Sequence, residues 1–271
     1  MRGGYRRRGN ALAGLALVAG LGVALAACGG GGISLPSLAT GGVAQGVGAA
    51  GGAPGTADRM EGSPFQDTNS TALVGREVIA DPSLDEVMKL AGPLPEMSLG
   101  RADAPVTIIK YASMTCPYCR QFQMEAFPEL KRQYIDTGKV RFILREFPIG
   151  FQSGLATIAT RCVPEAKYFQ AYDRLMRQQN VWVSQDVRAE PIVKAMGDLG
   201  LTANKLEACR QDKAMVEALD AVKQRGRLLG IVGTPNYFIN GRLIKHALSL
   251  KDVKAIIDPL LAVPPTLAEK S

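Results

Sequence analysis

The 271-residue chain is poor in the residues that build most metal and acid–base sites: it has one histidine, His246, one tryptophan, Trp182, and five cysteines. Structural zinc wants four ligands, usually two cysteine pairs or cysteines with added histidines, and there is no second C-x-x-C pair here. No metal ligand set is therefore assigned, and His246 reads as a surface residue. Also missing is a basic patch interleaved with aromatics, which nucleic-acid binding would call for. Acid is absent from the first 27 residues, which carry Arg2, Arg6, Arg7 and Arg8. Without that segment the net charge falls from +7 to +3, so the basic balance is partly a property of the leader. A long apolar run occurs only at Ala11–Ala27, at the lower limit for a membrane span. Behind a positive start, residues 1–27 read as a signal peptide. Gly29–Gly55 has no charged residue and eleven glycines. Residues 28–60 are thus expected to be a flexible tether with a root-mean-square reach on the order of 30 Å.

What the chain does have is Cys116-Pro117-Tyr118-Cys119, behind Val106, Ile108 and Ile109. That β-branched run, opened by Pro105, reads as a buried strand, and the small residues after it lead into a helix. A thiol at a helix N-terminus meets free backbone N–H groups and the positive end of the helix dipole, so its thiolate is stabilised. Cys116 is the candidate nucleophile. Cys119, one turn deeper, can attack a mixed disulfide formed there. Pro117 suits the first helical position, where its missing N–H costs nothing. Far along the chain, Asn240-Gly241 between apolar runs signals a hairpin, with Thr234-Pro235 at its entrance as an edge or cis proline.

C-P-x-C after V-T-I-x-x-Y-A-S-x-T, with a distant G-T-P-x-x-F-I-N-G, resembles the DsbA-like thiol–disulfide oxidoreductases, a thioredoxin-fold family. Phe127–Lys131, Tyr134–Val140 and Arg145–Pro148 resemble its lipoprotein-like branch common in alphaproteobacteria. The likeness runs from about Pro93 to Pro259. It implies an α/β thioredoxin fold with an inserted helical domain, a cis Pro235 facing the thiol pair, and Thr234 beside it helping to bind substrate chains. The family's best-known oxidant motif has histidine where this chain has Tyr118, so a less acidic Cys116 and a weaker oxidant are expected. Where the family commonly has a buried glutamate, six residues before the nucleophile, this chain has Lys110. No catalytic role is assigned to it.

The domain plan is a signal peptide (1–27), a lipidated Cys28 with its tether (28–60), an extension with a short helix at Asp81–Lys89 (61–97), a DsbA-like domain (98–262) and a tail (263–271). Leu25-Ala26-Ala27-Cys28 is similar to a bacterial lipobox, in which the cysteine is lipidated. Helical patterns at Leu155–Cys162, Tyr168–Gln179, Glu190–Leu199, Ala203–Arg210 and Met215–Leu228 fill an insertion at about 149–229. Phe122, Met124, Ala126 and Phe127 are candidate core contacts, Pro128 a helix break, and Trp182, Tyr168, Phe169 and Tyr172 core or cap residues. Cys162 and Cys209 fall in the insertion. In an oxidising compartment they read as a structural disulfide, the alternative being two separate buried thiols. The function expected is an exported dithiol oxidase that passes its Cys116–Cys119 disulfide to cysteines of exported proteins. It would need no cofactor, would be reset by a redox partner, and would be anchored by lipid on the periplasmic side of a bacterial envelope, at the inner or the outer membrane. A disulfide reductase or isomerase would use the same residues, and so would a copper-binding module, though extra Met and His ligands near Cys116 are missing.

Overall fold

The structure, a computed structural model, describes residues 78–262. The segments expected as signal peptide, lipidated Cys28 with its tether, and tail lie outside the described residues. In the described part the chain opens with a short helix α1 (Leu84–Met88), whose first turn is capped by the Ser83 hydroxyl accepting from Glu86 N–H at 3.1 Å. It then enters the sheet as β1 (Met97–Leu99), β2 (Val106–Ala112) and β3 (Val140–Glu146), and returns to it as β4 (Asn236–Ile239) and β5 (Arg242–Ile244). The spatial order is β1-β3-β2-β4-β5, with β2 and β3 parallel and the other pairs antiparallel. This is the thioredoxin arrangement, with β2, the strand that leads to the thiols, at its centre.

β2 is longer than its apolar run predicted, reaching Ala112, and β3 does not alternate as a half-buried strand would. Both are buried on two faces, because helices and the N-terminal segment cover both sides of the sheet. Val106, Ile108 and Ala112 belong to the larger core. Ile109 and Tyr111 point the other way into a second core with Val87, Ile143, Phe147, Ile231 and Phe238. The second core is closed by α1. Arg145 ties it down, donating to Val87 O at 2.6 Å, to the Tyr111 hydroxyl at 3.1 Å and to Glu96 at 2.8 Å.

Between β2 and β3 runs α2 (Pro117–Glu125), then α3 (Phe127–Leu130) with Pro128 in its first turn. The break at Ala126 lets Phe122 and Phe127 both enter the core, whereas Met124 stays half-buried, short of the core place expected for it. After β3 come the inserted helices: α4 (Gly150–Cys162), α5 (Tyr168–Arg177), α6 (Gln179–Trp182), α7 (Glu190–Met196), α8 (Ala203–Gln211) and α9 (Lys213–Leu228). Trp182, Tyr168 and Tyr172 are buried within them, with Phe169 at the edge. A disulfide joins Cys162 to Cys209, with Cα atoms 6.1 Å apart, so the end of α4 is tied to α8. Gly226 lets α9 approach the sheet, since a Cβ there would stand 2.8 Å from the Tyr111 ring. Asn240 and Gly241 turn β4 into β5 with φ of 45° and 84°, the pair of positive values a tight type I′ hairpin requires. The last helix, α10 (Leu250–Ala262), starts at a Ser249–Asp252 capping pair and is held by Tyr134 O–H donating to Asp258 at 2.6 Å. Among the described residues no helix is long and apolar enough to cross a membrane.

Candidate active site

Cys116 is the N-cap of α2 and Pro117 its first helical residue. The backbone N–H of Cys119 donates to Cys116 Sγ at 3.3 Å, so the thiol occupies the place a serine or aspartate cap usually takes. Cys116 is half-buried, Cys119 fully buried, and the structure holds both as free thiols. Across the pair lies the Thr234–Pro235 peptide bond, which is cis. Cys116 Sγ donates to the Thr234 carbonyl at 3.2 Å, which brings residues 118 apart in sequence into one site.

The two thiols are pushed in opposite directions. Cys116 is lowered to about 6: the hydrogen bond from the Cys119 thiol is the largest cause, and against partial burial it is joined by Thr234 and the backbone N–H groups of Cys119 and Tyr118. Burial, then the hydrogen bond to Cys116, raises Cys119 well above an ordinary thiol. At neutral pH the outer sulfur is therefore a thiolate and the inner one a thiol, the division of roles that exchange chemistry needs. The side chain of Tyr118 takes no part in this. It is 60% exposed, and only its backbone acts on Cys116.

The loop before the thiols is clamped from the inserted helices by two residues that sequence reasoning missed. Ser153 on α4 accepts from Met114 N–H at 3.0 Å and shares a 2.8 Å hydrogen bond with Ser113. Gln179 on α6 donates to the carbonyls of Met114 at 2.7 Å and Cys116 at 3.2 Å. Neither belongs to a local motif, so no short-range signal could have found them. Beneath the pair lies Lys110, with none of its surface exposed. Its Nζ donates to Cys119 O at 3.4 Å and to the Tyr172 hydroxyl at 3.3 Å, and sits 4.3 Å from the centre of the Phe122 ring. Burial brings its ammonium down to about 8, while Cys119 and then Cys116 hold it up. Cys162 and Cys209 take no part in this site, and His246 is exposed. Among the described residues no group of three His, Cys, Asp or Glu side chains is placed to hold a metal ion.

The thioredoxin family profile matches residues 94–259. A Rickettsia bellii protein, provisionally named a protein-disulfide oxidoreductase, is 32% identical over 166 residues, covering 60% of this chain and 63% of its own length. The chain thus spans somewhat less than two thirds of that relative. The disulfide bond formation protein D of Bacillus subtilis is 25% identical over 171 residues, covering 59% of this chain and 74% of that one. Among solved structures, alpha-DsbA1 of Wolbachia pipientis superposes with a TM-score of 0.58 at 27% identity, over 65% of this chain and 94% of that one.

Proposed function

Because the chain belongs to the thioredoxin family, among its DsbA-like disulfide oxidoreductases, we propose that it is a protein thiol–disulfide oxidoreductase working as a dithiol oxidase through Cys116 and Cys119. The observation that carries this reading is the opposed ionisation of the two thiols: a half-buried thiolate capping α2 beside a buried thiol, with the Thr234 carbonyl 3.2 Å from the outer sulfur.

In the oxidised enzyme a substrate thiolate attacks Cys116 Sγ, the intramolecular S–S bond breaks, and Cys119 leaves. A second substrate thiolate then attacks the substrate sulfur, and Cys116 leaves as the thiolate its environment favours. The substrate gains a disulfide and the enzyme holds two thiols. A thiolate this well stabilised favours the reduced enzyme, and that pushes the disulfide outward to substrates. Tyr118 and Val232, the latter 83% exposed, flank the thiols and Thr234 and offer apolar contact to an unfolded chain.

Substrates are thiol-bearing exported proteins, and a redox partner resets the pair. Residues 1–27 and Cys28 support export and lipid anchoring on the periplasmic side of a bacterial envelope. Labelling with a radioactive fatty acid should mark the native chain and not Cys28→Ala. The test of the activity is the equilibrium of the Cys116–Cys119 pair with glutathione, with Cys116→Ala as the blank. A pair more oxidising than glutathione supports the oxidase. One as reducing as thioredoxin makes it a reductase, and no exchange at all rejects the enzyme.

A further inference from the structure

Lys110 is the one charged group beneath the thiols that the exchange steps leave without a task. It sits on the central strand β2 and faces the side of the sheet that carries α2 and α5. From α2 it meets Cys119 and Cys116; from α5, Tyr172, with Tyr168 behind it; from β4, its register partner Tyr237, whose hydroxyl is buried without a partner. From β3 its register partner is the apolar Leu144. On α10, Asp258 is taken up by Tyr134. Among the described residues no carboxylate bears on the ammonium, and the only charges that oppose the cost of its burial are on the two sulfurs.

A buried cation persists only while something anionic balances it. The Cys116 thiolate supplies that charge in the reduced enzyme. Closing the disulfide removes it and leaves a carbonyl, a phenol and the face of Phe122, which together do not replace a counter-ion. We propose that Lys110 is the second proton carrier of the redox pair, holding a proton while Cys116 and Cys119 are reduced and releasing it when they join.

This rests on the exchange reading above, and it fixes the proton count of the reaction. When glutathione disulfide oxidises the pair, the Cys116–Cys119 bond forms and the glutathione S–S bond breaks. Two electrons pass to the two glutathione sulfurs, which take up one proton from Cys119 and one from Lys110. No net proton is exchanged with water between the ionisation of Cys116 and that of Lys110. If Lys110 keeps its charge state throughout, the second proton must come from solvent, and oxidation weakens tenfold for each pH unit gained.

The experiment is the glutathione equilibrium of the wild-type protein and of Lys110→Met between pH 6.5 and 7.5, with Cys116 ionisation followed in each by thiolate absorbance. The wild type is expected to hold a constant equilibrium within about twofold, while Lys110→Met falls about tenfold per pH unit. Lys110→Gln, which keeps a donor for Tyr172 but no charge, should follow Lys110→Met, so that lost packing is separated from the lost proton. A wild-type equilibrium that falls tenfold per unit, alongside unchanged variants, overturns the assignment. A wild-type pair that does not equilibrate with glutathione at all overturns the exchange reading instead.

Discussion

The acidity of Cys116 comes from its neighbours within one helical turn and from the side chain of one distant residue, Thr234. Cys119 supplies the largest share, so Cys119→Ala should move Cys116 ionisation upward from about 6 and at the same time trap mixed disulfides at Cys116. Iodoacetamide labelling against pH, followed by mass spectrometry, reads both. Lys110 carries a stability consequence as well. Its folded value of about 8 lies below the ordinary 10.5, so the charged form opposes folding. That penalty is fully present below pH 8 and disappears as pH rises through 10.5. Lys110→Met should therefore stabilise the reduced protein by about 3 kcal/mol at pH 7, with the gap closing toward pH 10.5 in urea melts. The cap of α2 was legible in the sequence because C-P-x-C is a local pattern that specifies its own turn. The partners of that turn were not. Tyr172 lies 62 residues from Lys110, and Gln179 lies 65 from Met114. Their pairing is decided only by how the inserted helices pack.

At the level of elements, each predicted helix of the insertion is present, because amphipathic spacing and caps such as Thr202 and Asp212 are visible in the chain itself. The three-residue β1 was not foreseen. A strand that short has no period to read, and it exists because β3 offers an open edge at Phe142–Leu144. The Cys162–Cys209 link acts on the insertion rather than on the thiols. Its removal by Cys162→Ala/Cys209→Ala should cost roughly 2–4 kcal/mol, through the freedom it returns to the unfolded chain. The melting temperature should fall accordingly, with Cys116 alkylation unchanged. A change in that alkylation rate would mean that the link also shapes the active-site loop. Gln179→Leu is the complementary case. It deletes the donor to Met114 and Cys116 and leaves the disulfide alone, so it should slow exchange more than it lowers the melting temperature.

For the molecule as a whole, the folded unit begins before the segment that the family shares. Val87 is fully buried in the second core, and Arg145 takes its acceptors from Val87 and from Glu96. A chain starting at Ala91 loses the first and leaves a buried guanidinium short of a partner. That should cost about 3 kcal/mol or more and lower the urea midpoint, even though residues 94–259 remain intact. The two-core plan was only half visible beforehand, since a short helix at Asp81–Lys89 could be read but the face it covers could not.

The meeting of Cys116 with Thr234 also sets a clock. Synthesis runs from the N-terminus at roughly 5–20 residues per second, so the carbonyl that completes the site follows the thiol by about 6 to 24 s. During that interval β2 has no β4 beside it. Within that time Cys162 and then Cys209 follow Cys116 and Cys119, so all four thiols precede Thr234. A newborn chain thus exposes its thiols to disulfide chemistry before the Thr234 carbonyl stands beside Cys116.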